Sequence, residues 1–214
     1  MKKSELIWFD LRHGLPTSFG TLWRELGPVK FFRLLAGFAV QSIVADPLKK
    51  LPAPKTPSEI FSYHQLKPAL ILDDVLRIRM KMSEQRRLDI LRAVISESGA
   101  KFIETNVVLP QADEWEKMDD AERERFTQKI ISRFKNVEAK TVETPESVFG
   151  FDVSHCHFAA LTRTLDRAYL APLFCQADSV YFNRPEVLVQ LNRKETLAQG
   201  DHACTFRFEY KDQS

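Results

Sequence analysis

Three cysteines, Cys156, Cys175 and Cys204, are the side chains of this sequence best suited to chemistry, and all lie in its last third. Cys156 stands in the run Phe151-Asp152-Val153-Ser154-His155-Cys156-His157-Phe158, where an alternating apolar stretch gives way to a helical pattern. A sulfur at a strand-to-helix junction lies near free backbone amides and the positive end of a helix dipole. Both lower a thiol pKa and favour the nucleophilic thiolate. A small buried cysteine that merely fills the junction fits the same spacing. Adjacent strand residues point to opposite faces, so at most one of His155 and His157 shares the sulfur's pocket.

Cys175 and Asp178 share a helical face with Phe182. An aspartate there can orient a substrate amine or hold a proton; a surface carboxylate beside a core cysteine suits the spacing equally. Cys204 alternates with Phe206, Phe208 and Tyr210 and so faces a core, whereas Arg207 points the other way unless a bulge turns it inward. Asp201 and His202 fall in the turn before that strand, free to enter a site. No Cys-x-x-Cys or spaced histidine pair occurs, so no metal ligand is assigned and no cofactor is expected; only the fold could gather the sulfurs around an ion. With 7 glycines and no glycine-rich loop, phosphate cradling by backbone amides is not expected either.

The elements that position these residues read as α+β. Phe149, Phe151 and Val153 alternate as a strand; Phe158, Leu161, Thr162 and Leu165 mark a short helix; Leu170, Leu173, Phe174, Ala177 and Tyr181 mark a second. Strands over 187–196 and 203–210 follow, with Gly200-Asp201 in the turn, giving an antiparallel sheet with helices packed on one face. Upstream, 83–98 reads as a helix with Gly99 as its C′ residue. Lys101 to Leu109 is ambiguous between helix and strand, and Asp119 with Glu122 forms a capping box for a helix buried through Phe126, Ile130 and Phe134. Residues 1–45 read as helical pieces broken at Gly14-Leu15-Pro16 and Gly27-Pro28. Pro47, Pro52, Pro54 and Pro57 mark an extended linker. The expected organisation is therefore a helical N-terminal extension and linker over 1–58 and an α+β domain over 59–214.

Charge narrows the function classes. Lysine plus arginine (31) barely exceeds aspartate plus glutamate (29), which leaves no footprint for nucleic acid. Three cysteines and the absence of an evident leader after Met1-Lys2-Lys3 suggest a cytoplasmic protein. Phe31 to Val44 carries Arg33 and Gln41 and falls short of the roughly 20 apolar residues of a membrane span. It reads as a buried amphipathic helix, or alternatively as one that meets a membrane surface or a partner, and a homo-oligomer is left open.

The segments Phe151–Phe158, Leu170–Asp178, Leu191–Gly200 and Cys204–Phe208 resemble the L-2-amino-thiazoline-4-carboxylate hydrolase family. The resemblance covers about half of the chain and leaves residues 1 to about 80 without a counterpart. It implies a hydrolase that opens the amidine-like ring of a cyclic cysteine precursor on the way to carbamoyl-cysteine, in amino-acid metabolism. Its pattern marks Cys156, Cys175, Asp178, Gly200, Cys204 and Arg207. On that footing Cys156 is the expected nucleophile and Asp178 the catalytic carboxylate. Cys175, Cys204 and Arg207 are the expected substrate contacts, with Arg193 an alternative cation; His157 and His202, which the family pattern does not mark, are added as contacts from their places beside Cys156 and in the turn before Cys204. The competing expectation is a non-catalytic module that binds a small molecule or a metal in the same pocket.

Overall fold

The computed structural model describes residues 3–142 and 148–211; Met1 and Lys2, where the search for a leader begins, lie outside them. The sheet is built from β1 (Val137–Thr141), β2 (Val148–Cys156), β3 (Val189–Asn192) and β4 (Cys204–Tyr210), all antiparallel, in the order β1-β2-β4-β3. Period two puts Phe149, Phe151 and Val153 of β2 and Cys204, Phe206 and Phe208 of β4 on one buried face. Across the central pair, Phe149 stacks on Phe208 at 4.9 Å and Phe151 on Phe206 at 4.8 Å. Such cross-strand pairs each contribute roughly 0.2–1 kcal/mol. The expected α+β class is therefore observed, and β1 is an addition to it. Its Glu138 and Lys140 are exposed, and so short an edge strand leaves only a faint alternation in sequence.

Eight α-helices are described: α1 (Lys3–Phe9), α2 (Leu15–Val44), α3 (Pro57–Asp74), α4 (Glu84–Asn106), α5 (Ala112–Lys117), α6 (Asp120–Ile131), α7 (His157–Thr164) and α8 (Ala171–Phe182). The capping box at Asp119 and Glu122 opens α6 as expected, and a second at Thr56 and Glu59 opens α3 where the proline-rich stretch ends. Gly99 is not a helix stop. α4 runs through it to Asn106, because the glycine is used for approach: a Cβ there would lie 2.5 Å from the Cβ of Ala177 on α8. This close crossing fixes α8, and with it Cys175 and Asp178.

The N-terminal breaks divide likewise. At Gly14-Leu15-Pro16 the chain stays helical through a π-turn, Asp10–Gly14, with Pro16 in the first turn of α2, where its missing N–H costs nothing. The break at Gly27 is real, with φ 68° and ψ 171°, a conformation that favours glycine. Phe31 lies 6.0 Å from Phe19 and 5.3 Å from Trp23, ring to ring. Residues as far apart as Phe19 and Phe31 would be about 18 Å apart along a straight helix. α2 is thus a hairpin of two arms. By length and composition Ser4–Val44 is apolar enough to cross a membrane, with mean hydropathy 1.2, but the fold-back divides that length.

Two apolar cores result. Leu22, Phe31 and Leu34 of α2 and Leu48 of the linker pack with α3 and α4 in a helical core. The sheet face packs with α8 and Trp115 in the other. α2 and the linker thus contribute side chains to the helical core.

Candidate active site

Where the two cores meet, a cavity of about 390 Å3 remains. Cys156, Cys175, Asp178, Arg193 and Cys204 are all among its walls. They arrive from four places: the end of β2, the middle of α8, the residue after β3 and the start of β4.

Cys156 reaches the cavity because β2 is irregular. The register with β1 passes from Glu138 opposite His155 to Ala139 opposite Val153, so Ser154 is an extra residue. Strict alternation from Val153 would turn His155 inward and Cys156 outward. The bulge inverts this, and Cys156 joins Val153 on the cavity side. Cys156 is also the N-cap of α7, and Nδ2 of Asn136 approaches its sulfur at 4.0 Å. The expected lowering of its pKa is not found. Burial pushes the thiol up, and the amides of Ala159 and Phe158 recover only part of that. Desolvation outweighs the helix terminus.

On α8, one turn places Cys175 and Asp178 together. Arg193 donates through Nη1 to Oδ2 of Asp178 at 2.5 Å and through Nη2 to the carbonyl of Cys175 at 2.8 Å. Its guanidinium lies 5.0 Å from the centre of the Phe206 ring. Burial pushes the Asp178 carboxyl up despite the opposing pull of Arg193. Burial likewise pushes the Cys175 thiol up to about 12. Cys204 accepts from the Leu197 amide at 3.2 Å, and burial raises its thiol too. Among the described residues, no group of three or more His, Cys, Asp and Glu side chains is arranged to hold a metal.

The remaining expected contacts lie elsewhere. Arg207 sits opposite Gly150 in an unbroken β2–β4 register, so no bulge turns it inward; it pairs with Asp152 at 2.7 Å on the outer face of the sheet. His157 packs edge-on against His155 at 4.9 Å, and burial lowers its pKa. His202 is exposed in the loop before β4. None of the three is a cavity wall. The cation at the cavity is Arg193. Sequence reasoning did not find Asn136, nor the pair formed by His64 and Asp10 at 2.5 Å, which also lines the cavity. No motif links residues so far apart; the approach of the π-turn Asp10–Gly14 to α3 joins them.

A second charged cluster lies outside these walls. Asp73, fully buried, is held by Arg87, by Arg167 and by the Tyr169 hydroxyl, the last at 2.5 Å. Asp74 takes Arg167 at 2.6 Å and Arg77 at 2.8 Å. Every carboxylate here is neutralised by side chains from other parts of the fold.

The chain matches no curated protein and no solved structure. A family model described as L-2-amino-thiazoline-4-carboxylic acid hydrolase matches residues 70–208, which include β2, α8, β4 and all the polar cavity residues named from them. Coverage of well over half of the chain places the protein in the L-2-amino-thiazoline-4-carboxylic acid hydrolase family.

Proposed function

We propose that the protein is a hydrolase that opens a cyclic amidine of the thiazoline type at the polar end of the cavity, releasing a carbamoyl-cysteine. What carries the proposal is the convergence of Cys156, Cys175, Asp178, Arg193 and Cys204 on one cavity. The electrophile is the ring carbon bonded to both nitrogens and to sulfur. Asp178, facing the amidine N–H groups, stabilises their positive charge and makes that carbon more electrophilic. Arg193 offers a cation to the substrate carboxylate.

Cys156 then attacks. Its sulfur bonds to the ring carbon, the ring C–S bond breaks, and the electron pair goes to the substrate sulfur, which takes up a proton. Water adds to the same carbon and displaces Cys156 as the thiol, leaving the carbamoyl group. Because burial holds the Cys156 thiol up, its proton must leave as attack proceeds. Asp178, itself raised by burial, is the matching acceptor. The assay is ring opening of L-2-amino-thiazoline-4-carboxylate, followed as carbamoyl-cysteine. Cys156→Ala should abolish it while the circular dichroism spectrum stays unchanged; turnover at the wild-type rate removes Cys156 from the mechanism.

The raised Cys156 thiol favours a second reading, in which water held by Asp178 attacks directly and the sulfurs only shape the pocket. In that case Asp178→Asn loses turnover and Cys156→Ala keeps it.

A further inference from the structure

The cavity is chemically lopsided. Its thiols, Asp178 and Arg193 gather where β2, α8 and β4 meet; away from them the His64–Asp10 pair is closed on itself, and most of the remaining wall is carbon, including Leu15, Phe19, Leu34, Phe38, Phe61 and Phe102. All of these except Phe102 precede residue 70, where the family match begins. The shared part of the chain supplies the head-group chemistry, and the N-terminal helices add an apolar roof. At about 390 Å3 the space lies within the roughly 300–1,000 Å3 of small-molecule pockets. A lone small polar ring touching Asp178 and Arg193 would leave that roof unfilled.

We propose that the ligand is amphipathic: a carboxylate-bearing head at Asp178 and Arg193, and an alkyl or acyl chain along the α2 arms. This rests on the placement of the site at the polar end, but not on ring opening. The test is titration calorimetry of the full chain with N-acetyl-, N-hexanoyl- and N-decanoyl-L-cysteine. Affinity should rise about fourfold per added methylene until the cavity is full. Phe38→Trp, which fills the roof, and Phe19→Ser, at its rim, should weaken the decanoyl probe and spare the acetyl one. A flat series, or no binding by any probe, overturns the proposal. Where ring opening persists beside a flat series, the hydrolase reading stands alone; a rising series without ring opening leaves the apolar pocket standing and removes the reaction.

The outer face of the same helices carries an independent observation. Trp8 (57%), Leu11 (65%), Val29 (82%) and Phe32 (61%) are exposed, and Leu15, Phe19 and Trp23 extend the surface. Arg12, Arg24, Lys30 and Arg33 are exposed among them, with the Arg12 guanidinium 5.1 Å over the Trp8 ring. Of the acids within residues 4–44, Asp10 is bound by His64 at 2.5 Å and Glu25 by Arg86 at 3.0 Å, and Glu5 is engaged as well. An apolar face edged by cations and lacking a free acid complements an anionic lipid surface.

We infer that this face docks on anionic lipid. The full chain should sediment with phosphatidylglycerol–phosphatidylcholine vesicles, less so as salt rises, and Trp23→Ser with Phe32→Ser should abolish sedimentation. Failure to bind overturns the inference. If light scattering then shows a dimer that the same substitutions dissociate, a second copy of the chain covers the face instead.

Discussion

The protein buries two ionic clusters, and they are built on different principles. Around Asp73 the carboxylate meets Arg87, Arg167 and Tyr169, gathered from α4 and from the segment between α7 and α8, away from the walls of the cavity beside Asp178. Around Asp178 a lone arginine faces the carboxylate, three thiols are held protonated by burial, and the group opens onto space. The first arrangement leaves nothing for a ligand to do. The second holds polar atoms whose desolvation is only partly compensated, the condition under which a bound substrate gains most. Burial alone does not mark a site; a buried carboxylate and thiols that open onto a cavity do.

Substitutions can break this contrast, the largest effect coming from Asp73→Ala. It strands Arg87 without its carboxylate and leaves Arg167 with Asp74 alone, and loss of a partner from a buried ion pair costs about 3–5 kcal/mol. Urea denaturation should show that loss. Next comes Gly99→Val, whose side chain would collide with Ala177 on α8. Overpacking there should cost about 1–3 kcal/mol and, by shifting Cys175 and Asp178, lower turnover at a temperature where the protein remains folded.

A smaller effect is expected from pH. The Cys175 thiol rises from an ordinary 9.0 to about 12 in the folded state, so the unfolded chain ionises first. The stability it contributes is complete below 9.0 and is lost as pH climbs toward about 12. The difference in unfolding midpoint between wild type and Cys175→Ala should therefore change across that window and stay constant below it. Smallest is Thr56→Ala, which removes the cap of α3 and should cost about 1 kcal/mol in thermal unfolding without altering turnover, sharpening the separation of scaffold from site.

What the sequence disclosed follows from the range of the forces involved. Capping of α6 by Asp119, the alternation of Phe149, Phe151 and Val153, and the glycine break at position 27 are local, and each appears where periodicity and turn chemistry put it. Gly99 misled because a glycine late in an apolar pattern resembles a helix stop, whereas its reason lies on α8. The bulge at Ser154 is visible only through its partner strand, so alternation by itself turns Cys156 the wrong way. The union of Asp73 with Arg167 spans 94 residues and has no local trace at all. The three cysteines could be singled out by type and family pattern; their meeting on one cavity depended on all of these elements together.

The most direct test is the mass of the intact protein after brief incubation with L-2-amino-thiazoline-4-carboxylate and an acid quench. A covalent adduct on Cys156 should form and decay as carbamoyl-cysteine appears, and both adduct and turnover should be absent in Cys156→Ala. Undiminished turnover in that variant, with no adduct on the wild-type protein at any time, would contradict attack by Cys156.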